Sequence, residues 1–140
     1  MTAPNDVPRR DAPLRLTFPA CFRLRSKRDF ERIYALKQKA VEPVLLVFGS
    51  RNSLSHSRMG LSVSRRHGNS VVRHRLRRLL KEAFRLKQHE LPVGFDLILI
   101  PGRDAGGATQ AQFCDALLRV ARKLERKIPR LSSGALAGTE

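Results

Sequence analysis

The stretch GLSVSRRHGNSVVRHRLRRLLKEAFRLK, residues 60–87, decides the reading of the fold. Its first part alternates: Met59, Leu61 and Val63 are apolar, with Gly60, Ser62 and Ser64 between them. A period of two marks a strand with one buried face. Gly68 and Asn69 break that pattern, and Asn69 or Ser70 is suited to cap a helix. From about Val71 to Gln88 the period becomes helical, and it stops before Pro92. At about 100° per residue, Val72, Leu76, Leu79, Leu80 and Ala83 fall on one side, and Arg73, His74, Arg77, Arg78, Lys81 and Arg85 fall on an opposite arc. The apolar side can dock on a sheet while the basic side faces solvent.

On the C-terminal side, FDLILI at 95–100 is a continuous apolar strand between Gly94 and Pro101-Gly102. GRDAGGA is a loop, and Thr109 is placed to cap a last helix. That helix carries Phe113, Ala116, Leu117, Val120, Ala121 and Leu124 at helical spacing and ends at Pro129. On the N-terminal side, VLLVFGS reads as a strand at 44–49. The polar linker RNSLSHSR joins it to the next strand, which suggests that those two strands form an antiparallel pair. Further back, Ser26 can cap a helix over 27–38, with Asp29 as an imperfect capping-box partner. Phe30, Ile33, Tyr34 and Lys37 share one face of it. The order is helix, strand, strand, helix, strand, helix. It predicts an α+β fold, a small mixed sheet with helices packed on it.

Residues 1–17, with Pro4, Pro8 and Pro13, read as a flexible arm; 18–130 form one domain, and 131–140 a small-residue tail. The N-terminus MTAPNDVPRRDAP has no apolar core of a secretory signal, so a cytoplasmic protein is expected. No apolar run approaches the ~20 residues that span a bilayer. Cys21 and Cys114 read as two reduced thiols. His56, His67, His74 and His89 are scattered, and no Cys or His spacing resembles a metal site. Asp29, Asp96, Asp104 and Asp115 are isolated from one another, so neither a catalytic cluster nor a metal centre is expected.

The net charge is +16, from 28 Lys and Arg against 12 Asp and Glu. A compact chain with that surplus repels itself, which points to a polyanionic partner: nucleic acid first, an anionic membrane surface second. Between Arg65 and Lys87 nine Lys or Arg face one acid, Glu82, so half the surplus lies in under a fifth of the chain. Like charges one turn apart destabilise a helix, so their clustering needs a reason beyond helix formation. Arginine offers bidentate hydrogen bonds to phosphate, and lysine a point charge. A solvated basic face is the plainer alternative. A membrane-bound amphipathic helix and a calmodulin-type target helix are further alternatives, both opposed by the commitment of the apolar side to a core. The Gly68-Asn69-Ser70 turn leads into a helix N-terminus, whose free N–H groups favour an anion; an ordinary capped turn is equally compatible with it.

The string GLSVSRRHGNSVVRHRLRRLLKEAFR resembles the signature of the bacterial ribonuclease P protein family, and the likeness in pattern runs from about Phe22 to Ile128. Two positions depart from the family pattern: His74 replaces a usual Asn between two arginines, and Ser70 replaces a usual Ala. The resemblance implies a fold similar to ribosomal protein S5 domain 2, with a left-handed βαβ crossover around the basic helix. It implies a non-catalytic protein subunit, one copy in a ribonucleoprotein endonuclease that removes the 5′ leader of precursor tRNA. Chemistry is then carried by ribonuclease P RNA, with Mg²⁺ held mainly by that RNA. No membrane partner is implied. Arg65, Arg66, Asn69, Arg73, His74, Arg75, Arg77, Arg78 and Lys81 would face the RNA subunit. A cleft between the first helix and the sheet would take the single-stranded leader, with Phe22, Phe30, Tyr34 and Phe48 as candidate stacking residues. Plain core packing is the alternative for each of these aromatics.

Overall fold

The computed structural model describes residues 22–128. The N-terminal arm, Cys21, Pro129 and the C-terminal tail lie outside the described residues. Three helices and four strands follow in the order α1 (Lys27–Leu36), β1 (Lys39–Val41), β2 (Leu45–Arg51), β3 (Arg58–Leu61), α2 (Ser70–Lys87), β4 (Phe95–Pro101) and α3 (Gln110–Lys127). The fold is therefore α+β, as the sequence pattern predicts.

Local chemistry sets the helix ends. The hydroxyl of Ser26 accepts from the Asp29 amide, that of Thr109 from the Gln112 amide, and the Asn69 side chain from the Val72 amide at 3.0 Å. Each satisfies an N–H that a helix start leaves without a partner. Helix α1 stops two residues short of the expected end because Lys37 turns into the left-handed region (φ 56°) and donates its amide to the Tyr34 carbonyl.

The sheet order is β1-β2-β4-β3, antiparallel except for the parallel β3–β4 pair. This corrects the expected antiparallel pair of β2 with β3, which are not neighbours. Strand β4 is apolar on both faces but for Asp96 and is buried along its whole length. Such a strand belongs in the middle of a sheet. The linker 52–57 does not close a hairpin but crosses the start of β4. There Asn52 N–H donates to Gly94 O at 2.8 Å, Ser57 Oγ donates to Pro92 O at 2.7 Å, and Phe95 N–H donates to Ser57 Oγ at 3.0 Å. Strand β1, three residues long, adds to the expected order and pairs antiparallel with β2 at the sheet edge.

The two faces of the sheet differ. Helices α2 and α3 cover one, burying Leu76, Leu80, Ala83 and Phe84 of α2 and all six apolar positions read on α3 against Leu45, Val47, Leu97 and Leu99. Cys114 is buried there as a free thiol. Helix α1 crosses the other face over a smaller cluster of Leu24, Ile33, Ile98 and Ile100, with Phe30, Tyr34, Leu46 and Phe48 half-buried at its edge.

Candidate nucleic-acid interface

The strand register lays the α1 face of the sheet out in three rows. Ser50, Asp96 and Arg58 are level across β2, β4 and β3. The next row is Lys39, Phe48, Ile98 and Gly60, and the third is Val41, Leu46 and Ile100. Helix α1 lies over the second row. Phe30 and Tyr34 are one turn apart with ring centroids at 6.4 Å, and Tyr34 meets Phe48 edge-on at 5.0 Å. The Lys39 ammonium stands 5.8 Å from the Phe48 centroid. Three of the four expected stacking residues are thus brought together, half-buried beside a cation.

Phe22 is not with them. It sits in a turn just before residues 23–24, which run parallel to the edge of β3 with Leu24 N–H donating to Met59 O, and it packs with the helix-layer core. Its ring lies against His56 at 4.6 Å. The turn breaks the alternation that a strand would impose, so Phe22 does not follow Leu24 onto the α1 face.

Beyond the aromatics, the third row forms the floor of an open cavity of about 660 Å³. Leu46, Ile100 and the exposed Val41 line it, together with Arg66, His67 and Arg103. His67 is held in place because its Nδ1 accepts from the Ser64 amide at 2.9 Å. Burial, and then the nearby Arg66 charge, keep its pKa below the ordinary value, so it enters the cavity as a neutral imidazole near neutral pH.

Helix α2, on the opposite layer, and the 65–67 turn that leads into it carry the expected cations, which the structure divides into two kinds. Arg73 Nε donates to Gly68 O, Arg75 to Gly106 O and Ala108 O, and Arg77 to Val63 O, at 3.0–3.2 Å. These three brace loops and keep spare donors. The side chains of Arg65, Arg66, His74, Arg78 and Lys81 are exposed and have no ion-pair partner among the described residues. Arg85, which periodicity places on the same arc, is paired with Glu82. Asn69 is exposed, but its Oδ1 is used as the α2 cap. Gly68 has φ +135°, a conformation side chains rarely adopt, which explains a glycine just before the cap.

Asp96, isolated in sequence from the other aspartates, is the centre of a polar cluster in the structure. Its side chain is fully buried and receives Arg32, Arg58 and Asn52. The signal was available: one acid inside an otherwise apolar strand requires buried partners.

A small mixed sheet with one parallel β-α-β crossover, a cationic crossover helix on one face and an aromatic groove on the other defines a class of compact basic α+β proteins. Residues 18–125 match the sequence model of the family Ribonuclease P. The ribonuclease P protein components of Erwinia tasmaniensis and Coxiella burnetii are 33% and 32% identical to the chain. The first alignment covers 87% of this chain and 99% of the relative, the second 83% and 96%. The solved ribonuclease P protein of Thermotoga maritima superposes with a TM-score of 0.68 at 28% identity, over 74% of this chain and 97% of that one. That of Staphylococcus aureus gives 0.65 at 28%, over 74% and 95%. The chain belongs to the ribonuclease P protein family.

Proposed function

We propose that the protein is the RNA-binding subunit of a cytoplasmic ribonuclease P, one copy per ribonucleoprotein. In this reading Arg65, Arg66, Arg78 and Lys81 contact phosphates of the RNA subunit, with His74 and the spare donors of Arg73, Arg75 and Arg77 beside them. Phe30, Tyr34 and Phe48 hold the 5′ leader of precursor tRNA. Phe22 is left out of that cleft because it packs elsewhere. The observation that carries the reading is the division of the surface. Cations without acidic partners line the α2 side, and half-buried aromatics over an apolar floor line the α1 side. Single-stranded RNA is commonly held by such stacking platforms beside cations.

Cleavage is assigned to the RNA subunit together with Mg²⁺. Among the described residues no three His, Cys, Asp or Glu side chains are grouped to hold a metal ion. Asp96 is already taken by two arginines and an asparagine. The described residues therefore offer no ligand set for a protein-held Mg²⁺. The protein instead screens repulsion between two polyanions and raises precursor affinity, so it should lower the Mg²⁺ demand. The test is precursor tRNA cleavage by the RNA subunit at low Mg²⁺, with and without the protein. Faster accurate cleavage with the protein is expected; an unchanged rate refutes the proposal.

A further inference from the structure

The proposed RNA contacts leave Asp96 unused, yet it is the most heavily bonded side chain of the sheet. Arg32 descends from α1 and donates to Asp96 Oδ2 at 2.8 Å and to Ser50 Oγ at 2.9 Å. Arg58 donates to both carboxylate oxygens, at 2.9 and 2.7 Å, and Asn52 adds a bond at 2.8 Å. The Asp96 side chain is 0% exposed, while that of Arg32 is 41% exposed. Well-packed hydrophobic residues often match or exceed a buried ion pair in stability. Stability alone is then a weak reason for this cluster, whereas defined geometry is a better one.

That geometry concerns the neighbouring row. Arg32 lies two residues from Phe30 and two from Tyr34, about 200° around the helix from each. It therefore holds the flank of α1 opposite the aromatics. Apolar contact seats α1 on one side only, through buried Ile33 and the half-buried Phe30 and Tyr34, and leaves the other flank to Arg32. A planar guanidinium shared between Asp96 and Ser50 accepts few orientations.

We infer that the Asp96–Arg32–Arg58 cluster is a positioning device that sets the rotation of α1 over the sheet, and with it the spacing of Phe30, Tyr34 and Phe48 for a single-stranded RNA segment. The inference rests on the leader-cleft reading above. Arg32 and Asp96 act through the aromatics and need no contact with RNA.

The test uses the full chain assembled with the RNA subunit, and compares the affinity of leader-bearing precursor with that of mature tRNA. Measurements are made below the unfolding midpoint of each variant. Asp96→Asn and Arg32→Met should each weaken leader-bearing precursor about tenfold, the scale of one lost base stack. Mature tRNA and the RNA subunit should bind as before, and Arg32→Lys should recover part of the loss. Asp96→Asn keeps the Arg32 charge, so a loss in Arg32→Met alone would assign Arg32 to direct phosphate contact and overturn the inference. Equal losses for both tRNAs would overturn it too. If Asp96→Asn fails to fold, Ser50→Ala takes its place, because it removes one Arg32 anchor and no charge. Tyr34→Ala is the control. If it shows no leader-specific loss, the cleft reading fails together with the inference. If it shows one and the cluster variants do not, the inference alone fails.

Discussion

A Cβ built on Gly60 of β3 would stand 2.5 Å from Cζ and 2.9 Å from Cε1 of Phe30, so the α1 ring lies directly on the strand backbone. The glycine of the GLSVS segment thus belongs to the aromatic groove as much as to the sheet. Gly60→Ala should push Phe30 aside and cost about 1–3 kcal/mol, the usual range for overpacking a filled core. Urea unfolding measures this directly. An unchanged midpoint and slope would mean that the ring moves away freely and that the contact does not seat α1.

Acid should unfold the protein partly through Asp96. Burial works to raise its pKa, but hydrogen bonds from Arg58 and Asn52, the Arg58 charge and the Arg32 bond hold it below the ordinary carboxylate value. Glu42 is lowered as well, first by its bond from Lys123. The unfolded chain protonates first as pH falls, so this stability is complete above the unfolded pKa of about 3.9 and is lost as pH drops through the folded value. Asp96→Asn should lose about 1–3 kcal/mol at neutral pH, because the bonds from Arg58 and Arg32 lose their charged acceptor, while both guanidinium groups keep some contact with water. Its stability should also fall less steeply below pH 4 than that of the wild type. Parallel acid limbs for the two proteins would place the titration elsewhere.

Much of this was legible from periodicity, and the reasons for the exceptions are physical. Burial drives the helical pattern, so all six apolar positions read on α3 are in the core. Pairing partners are not written in a strand, and β3 could not be told from a hairpin partner of β2 until α2 was seen to carry the chain across to a parallel neighbour. Cationic positions were legible as a group but not one by one. Arg75 reaches Gly106 and Ala108 in a loop more than thirty residues away, a contact no local pattern reports. For the same reason the aromatics of α1 and β2 could be placed together, while Phe22, in a turn, could not.

The division of α2 arginines into braces and free cations predicts two mutant phenotypes. Arg78→Ala combined with Lys81→Ala should weaken RNA-subunit binding and make its dependence on log salt shallower by about 2, with stability unchanged. Arg77→Ala should lose RNA affinity and also about 1 kcal/mol of stability, because it abandons the Val63 carbonyl. Binding isotherms from low to moderate salt, paired with thermal melts, separate the two. Equal melting losses for Arg78→Ala and Arg77→Ala would contradict the division.

The separation of Phe22 from the other aromatics gives the most direct test of the groove. Tyr34 touches Phe48 and neighbours Phe30 on the α1 face, whereas Phe22 rests on His56 in the helix layer. A base stacked against an aromatic is worth about 1–3 kcal/mol by alanine substitution. Tyr34→Ala and Phe48→Ala should each reduce the affinity of leader-bearing precursor by that amount and leave mature tRNA unaffected. Phe22→Leu keeps an apolar side chain in its packed site, so it should lower stability modestly and leave the ratio of the two affinities unchanged. Phe48 also receives the Lys39 ammonium, so Lys39→Met should produce a smaller loss that fades at high salt. The readout is the ratio of dissociation constants for precursor and mature tRNA on the assembled ribonucleoprotein. A ratio that shifts with Phe22→Leu but not with Tyr34→Ala would move the leader to the other layer of the molecule and reverse the assignment of the two surfaces.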